Sequence, residues 1–432
     1  MNRNRVIEAL RLAIAAVERV GGGEDLLVRL REQLAGFEQA PEDLHLSDVS
    51  EELDREQAKL SDLDASLVLE AAEAIGAISH GATLMAEAFP DNFGLEMVQA
   101  EHENYSVVRV FYATDRAAEQ GDGGKLEFGG DRSPGGKLNY GECLISIPKV
   151  RKVGELPSPS IWRLEFRPDP NKHVVLLETL SREEEEYLKL VRQAVEKSAT
   201  REVFVFIHGF NVSFENAARR TGQIAYDLQF QGAPIFYSWP SNGRTADYTR
   251  DEADIAWSAP HLERFLNLLG SQSGAERIHI IAHSMGNRAA CEALKGISRN
   301  PIPGLEFRHL ILAAPDIDAD TFAELAAALK AISRRVTLYV SENDKALKAS
   351  KLVHGNSRAG LAGEEIVVVP GVDTIDVTAL DTDFLGHSYF SDSWPLLADI
   401  GSLFSDDKVP EQRFGLVEVT VSAGRYFTFR GN

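Results

Sequence analysis

The chain has 432 residues, too many for one ordinary domain and enough to bury a sizeable core. Its 44% hydrophobic and 26% charged residues suit a soluble globular protein. A formal net charge of −21 argues against a nucleic-acid partner, because phosphate contacts need a basic surface, and it disfavours adsorption to anionic membranes.

At the N-terminus Arg3 and Arg5 precede Val6-Ile7 as in a signal peptide, but Glu8 and Arg11 interrupt the apolar stretch. An amphipathic helix is predicted instead. No window approaches the ~18 uninterrupted apolar residues of a membrane span, so no integral membrane contact and a cytoplasmic location are expected. Residues 1–100 hold neither Trp nor Tyr and carry 20 Asp+Glu against 8 Lys+Arg, a local net charge of −12. Apolar residues there recur at helical spacing: Val6, Leu10, Ala13 and Val17, then Leu27, Leu30 and Leu34, then Leu60, Leu63, Leu67 and Ala71. Gly21-Gly22-Gly23 and Ala40-Pro41 punctuate the pattern, and Ser47 or Asp48 suits a helix cap. An acidic, all-helical segment is expected, as a scaffold or an arm for homo-oligomerisation. A regulatory cap or a protein-interaction module also fits.

From Val107 short β-rich runs alternate with helical patterns, which predicts a mostly parallel sheet flanked by helices. Strands are expected at 107–112, 141–147, 203–207, 235–238, 278–282, 310–314 and 336–340, with a last one at 366–369 or 374–377. Helices are expected at 214–228, 252–269, 287–296 and 319–332. Residues 117–140, rich in Gly and charge, read as a surface excursion, and 162–166 with 174–177 as extensions of the sheet edge. The division is thus a helical segment over 1–100, a catalytic domain over 101–405, and an extension over 406–432 with the alternation of a hairpin. Cys143 and Cys291 have neither a CxxC partner nor zinc-like spacing and read as buried free thiols.

The sharpest signal is Ile278-His279-Ile280-Ile281-Ala282-His283-Ser284-Met285-Gly286, followed by an alanine-rich helix. An apolar strand running through small-x-Ser-x-Gly into a helix is the nucleophile elbow of the α/β-hydrolase fold. The strained turn lifts the Ser284 hydroxyl above the sheet, and small residues on either side keep strand and helix apart. Position 282 is Ala where Gly is commoner, a demand of one methyl group. The Met285 amide, at the helix start, points at an oxyanion formed beside Ser284. Upstream, the apolar run 203–207 ends in His208-Gly209-Phe210-Asn211, 75 residues before the serine counted from Gly209. This loop is placed to supply the second oxyanion amide, assigned to Phe210, with His208 bracing the loop.

The fold orders its triad as Ser, then Asp or Glu, then His. Of the histidines after Ser284, His309 enters a strand at the wrong edge and His354 sits near a helix end, which leaves His387 as general base. Asp344, just past the run 336–340, is the preferred acid; Asp316, past the preceding strand, is its rival and is otherwise a pocket or capping residue. No ligand cluster argues for a metal or cofactor.

These residues resemble a family of bacterial α/β hydrolases of unknown function (DUF900-type), grouped with esterases and lipases. The likeness runs through Val110-Phe111-Tyr112-Ala113-Thr114-Asp115-Arg116, His208-Gly209-Phe210-Asn211, Tyr237-Ser238-Trp239-Pro240-Ser241, the Ser284 elbow, Ala314-Pro315-Asp316-Ile317-Asp318 and Gly386-His387. It spans about residues 105–405 and implies the same fold and triad. Trp239 is then a wall of an acyl pocket or core packing. Tyr248 and Asp251, which recur near the Trp-Pro loop in similar proteins, line the site or merely begin a helix with a capping acid. The expected activity is hydrolysis of small carboxylic esters through an acyl-enzyme. A thioesterase, amidase or acyltransferase with the same triad, or a non-catalytic binding scaffold, are the alternatives.

Overall fold

The computed structural model describes residues 98–121, 125–151, 153–158, 168–241, 248–380 and 394–430, together with Arg31. The helices predicted within 1–97 and the run 162–166 lie outside these residues, Arg31 excepted. In chain order the elements begin with β1 (Val98–Glu101), β2 (Tyr105–Thr114), β3 (Arg116–Gln120), β4 (Leu126–Arg132), β5 (Asn139–Pro148) and β6 (Val175–Arg182). The alternating part follows as α1 (Glu184–Lys197), β7 (Glu202–Ile207), α2 (Phe214–Asp227), β8 (Ala233–Ser238), α3 (Tyr248–Gln272), β9 (Arg277–His283) and α4 (Gly286–Arg299). Then come β10 (Glu306–Ala313), α5 (Ala319–Ile332), β11 (Ser333–Val340), α6 (Lys345–His354), β12 (Asp373–Asp376), α7 (Trp394–Asp406), β13 (Leu416–Val421) and β14 (Gly424–Phe429).

Among the described residues twelve strands form one sheet in the order β13-β14-β12-β11-β10-β9-β7-β8-β2-β5-β6, with β1 beside the first half of β2. Every pairing from β2 through β8, β7, β9, β10, β11 and β12 to β14 is parallel. β1, β5, β6 and β13 run antiparallel to their neighbours. The expected architecture, a mostly parallel sheet between helices, is the one present.

Alternation along each central strand feeds two cores. Val203, Val205 and Ile207 of β7 and Ile278, Ile280 and Ala282 of β9 face a cluster containing α1, α3, α4 and α5 residues. Phe204, Phe206 and Ile281 face the other side, packed with α2 and α7 residues such as Phe214, Ile224 and Leu403. Both faces are covered, which is why these strands read as continuous apolar runs rather than as alternating ones.

Strand order locates the cleft. From β7 the chain crosses by α2 to β8 on one side, whereas from β9 it crosses by α4 to β10 on the other. Right-handed crossovers in opposite directions put their helices on opposite faces. The gap at the carboxyl ends of β7 and β9 is therefore the topological switch point, where α/β sheets bind ligands.

Several details differ from the sequence expectation. The Gly-rich excursion over 117–140 contains a small separate sheet, β3 with β4, closed by the Ser133 amide donating to the Asp115 carbonyl. Helix α1 was not expected, although Tyr187, Leu188, Val191 and Val195 make its buried stripe. Of the two expected places for the last strand of the series, 374–377 is the one occupied, by Asp373–Asp376. The C-terminal hairpin is present and joins the main sheet, β14 lying parallel to β12. Cys143 and Cys291 are buried free thiols. No helix among the described residues is long and apolar enough to cross a membrane.

At the amino ends of the strands His279 and His309 stack with ring centroids 5.1 Å apart, and Phe404 covers both. Glu202, Asp407, Arg277, Arg308 and Arg335 surround them. Burial pulls both imidazoles below the ordinary value of 6.5, His309 to about 3, and each ring's neighbouring charges only modify this. A histidine with a depressed folded pKa stabilises the fold above its unfolded pKa and loses that contribution as pH falls. The urea midpoint is therefore expected to drop as pH falls from 6.5 toward 3, and to drop less in His309→Gln. Equal pH dependence in the two proteins would show that the pair does not set acid lability.

Candidate active site

Ser284 and Met285 turn β9 into α4, and Ser284 takes φ 49, a left-handed value costly for a residue with a Cβ. Backbone contacts hold it there. Its amide donates to the Ala313 carbonyl at 3.0 Å, while its carbonyl accepts the Asn287 amide and the Asn287 side-chain Nδ2 at 2.9 Å. Nδ2 of Asn287 also donates to the Ala313 carbonyl at 3.1 Å, so this one amide ties the turn to the neighbouring strand. Asn211 and Ala314 also have positive φ (57 and 45), so strain gathers at this edge of the sheet.

Position 286 must be glycine for a reason the sequence pattern only hints at. A Cβ there would lie 2.3 Å from the His208 carbonyl oxygen and 2.8 Å from that of Ile207. Both are backbone at the end of β7 and have nowhere to go. Gly286→Ala is expected to cost about 1–3 kcal/mol, read as a lower urea midpoint. Unchanged stability would mean that α4 does not abut β7 this closely.

The loop after β7 lies directly against the serine. A Cβ on Gly209 would sit 2.8 Å from the Ser284 Cβ. Among the described residues neither the Phe210 amide nor the Met285 amide has a hydrogen-bond acceptor. His208 is buried, with Nδ1 donating to the Gly209 carbonyl at 2.8 Å and Nε2 3.1 Å from Ser238 Oγ. Burial, reinforced by the Arg116 guanidinium, holds this imidazole well below its usual range, so it stays neutral. Trp239 stacks on His208 and donates from Nε1 to its carbonyl at 2.8 Å. Being fully buried, Trp239 belongs to the packing behind the loop, not to a wall facing substrate.

Arg116 was not singled out as a site residue by sequence reasoning, and it is the hub of this region. Its buried guanidinium donates to Ser238 Oγ and to the carbonyls of Gly129, Ser241 and Val212, all at 2.8 Å. It thereby locks the loop after β7 to the loop after β8. The only hint in the sequence was a lone arginine directly after the Thr114-Asp115 end of an apolar strand.

The two candidate acids differ sharply. Asp344 is fully buried at the end of β11 and caps α6, accepting the Leu347 amide at 2.9 Å. Asp316 accepts four donors: Ser350 Oγ at 2.6 Å, Arg358 Nε at 2.8 Å, the Tyr248 hydroxyl at 2.8 Å and Arg288 Nη2 at 3.0 Å. Burial pushes its carboxyl up, but the two guanidiniums outweigh this and hold it below the usual carboxylate range. Tyr248 begins α3 with its ring edge-on to Phe210, centroids 5.2 Å apart. Asp251 accepts Ser241 Oγ at 2.6 Å. His354 sits in α6 between Glu252 Oε1 at 2.7 Å and the Ser350 carbonyl at 2.8 Å. His309 is at the opposite end of the sheet. His387 lies outside the described residues.

Ser284, Gly209, Phe210, Met285, Asp316 and Asp344 thus lie along the carboxyl edge of the parallel strands, around the switch point. Strand order and a left-handed serine after the central strand define an α/β hydrolase. The chain belongs to the family described as alpha/beta hydrolase of unknown function (DUF900), whose model matches residues 183–402, just over half of it. It is 28% identical to alr1448, an uncharacterized protein of Nostoc sp., over 126 residues, which are 23% of this chain and 33% of that protein. The chain therefore matches about a third of the length of this relative. Among solved structures it is similar to esterase Pf2001 of Pyrococcus furiosus, at 14% identity over 38% of this chain and 71% of the other, TM-score 0.21. A thermostable esterase of Pseudomonas putida ECU1011 matches at 16% identity over 76% and 75% of the two chains, TM-score 0.22.

Proposed function

We propose that this protein is a serine hydrolase that cleaves carboxylic esters of small molecules through an acyl-enzyme. Ser284 is the nucleophile, His387 the general base and Asp344 the acid that orients it. His387 takes the proton from Ser284 Oγ as that oxygen attacks the ester carbonyl, and the amides of Phe210 and Met285 hold the resulting oxyanion. His387 then returns the proton to the departing alcohol, and water repeats the sequence on the acyl group.

The observation that carries this reading is Ser284 held at φ 49 between β9 and α4, with Gly209 packed against it. A fold tolerates such strain where a side chain must be presented. Support comes from the two amides without acceptors beside it and from the helix start at Gly286, whose dipole favours developing negative charge. The choice of Asp344 is supported by the state of its rival. A carboxylate has about four lone-pair sites, and those of Asp316 are taken by two arginines, a serine and a tyrosine. The base rests on chain order, in that His309 is at the wrong edge and His354 is engaged at both ring nitrogens. Fluorophosphonate labelling with peptide mapping tests the reading. Stoichiometric modification of Ser284, with turnover of p-nitrophenyl esters, is expected; an unlabelled, inactive protein would leave a binding scaffold.

A further inference from the structure

Fixing an oxyanion hole requires that its two amides keep their spacing. The Met285 amide is set by its place at the N-cap of α4. The Phe210 amide is on a loop that bends through a left-handed Asn211, whose buried Oδ1 has no hydrogen-bond partner among the described residues. From one side the loop is held by Arg116 on the Val212 carbonyl and by Ser241 Oγ, which accepts the Val212 amide at 3.3 Å. On the other side stands Tyr248.

We propose that Tyr248 is a positioning residue, bracing the Phe210 ring so that the Phe210 amide stays at its working distance from Ser284, with the Asp316 carboxylate as the fixed anchor. The proposal rests on the serine-hydrolase reading. The chain of contacts is short. The Tyr248 ring meets the Phe210 ring edge-on at 5.2 Å, and its hydroxyl donates to Asp316 Oδ2 at 2.8 Å. Arg288 Nη2 donates back to that hydroxyl at 3.2 Å. The Asp316 amide in turn donates to the Ser284 carbonyl at 3.3 Å, so the anchor is fastened to the serine's own turn. Arg288 and Arg358 already compensate the charge of Asp316. Tyr248 is not needed for that, and what its hydroxyl adds is the location of the first turn of α3 beside the loop. Burial and the adjacent Asp316 push its phenol up to about 12, so it remains a donor through the neutral range.

The experiment compares wild type, Tyr248→Phe, Tyr248→Ala and Ser284→Ala in steady-state hydrolysis of p-nitrophenyl butyrate. Binding of an alkyl trifluoromethyl ketone, which forms a tetrahedral adduct on an active serine, is measured alongside. Loss of the ring in Tyr248→Ala is expected to lower kcat about tenfold or more, with KM within about twofold. Ketone affinity should fall in the same proportion as kcat. Tyr248→Phe keeps the ring but loses the hydroxyl that ties it to Asp316, so a smaller, proportionate fall in kcat and ketone affinity is expected, and it serves as the folded test if the alanine variant is unstable. A raised KM at unchanged kcat would make Tyr248 a substrate contact and overturn the proposal. So would wild-type kinetics in both variants. An active wild type with either result leaves the serine-hydrolase reading standing, whereas a wild type inert to ester and ketone removes both.

Discussion

Replacing Ser284 with alanine is expected to lower kcat on p-nitrophenyl esters by at least about a thousandfold and to leave stability within about 0.5 kcal/mol. The separation follows from what holds position 284. The Ala313 carbonyl and Asn287 engage its backbone amide and carbonyl, which alanine retains. Alanine also bears the same Cβ at φ 49, so the strain of the turn is unchanged. Only Oγ is lost. Turnover and urea unfolding on the same preparation would decide the matter; ester hydrolysis at the wild-type rate would end the assignment of nucleophile.

The second large effect separates the two acids. Asp344→Asn should reduce kcat by up to about 10⁴-fold, because an amide cannot stabilise the imidazolium and favours the wrong tautomer. Stability should barely change, since Asn caps a helix about as well as Asp and the Leu347 amide keeps its acceptor. Asp316→Asn should behave in the opposite sense. It leaves Arg288 and Arg358 facing a neutral group in a buried site, a loss of about 3 kcal/mol or more. Its activity, measured where it remains folded, should fall far less than that of Asp344→Asn. If Asp316→Asn is stable and inactive while Asp344→Asn turns over normally, the roles are reversed.

The contrast between these two aspartates shows how far a linear reading reaches. Both follow an apolar strand, and both occupy positions where a triad acid is found. Nothing local distinguishes them. The distinction comes from Arg288 and Arg358, Tyr248 and Ser350, which the fold gathers on Asp316 from α3, α4, α6 and the segment after α6. Trp239 is a similar case. An aromatic beside a proline after a strand fits a pocket wall as well as a core, and only the 0% exposure and the bond to the His208 carbonyl choose the core. Helix α1 is legible in the sequence, through the helical spacing of Tyr187, Leu188, Val191 and Val195 and the acidic first turn Glu184-Glu185-Glu186.

By itself the sequence determined the features that depend on neighbours along the chain. The run 203–207 is apolar at every position, and 278–282 at every position but His279, as suits strands covered on both faces. The pattern Ala282-x-Ser284-x-Gly286 between such a strand and an alanine-rich helix admits little besides a sharp turn. Tertiary structure alone decided which distant groups meet: Arg116 with the loop after β7, Asp316 with its four donors, and Gly286 with the carbonyls of Ile207 and His208. The reason is physical. Backbone conformation and burial periodicity are set within a few bonds, whereas a buried charge is settled by whichever partners the sheet order brings within hydrogen-bond reach.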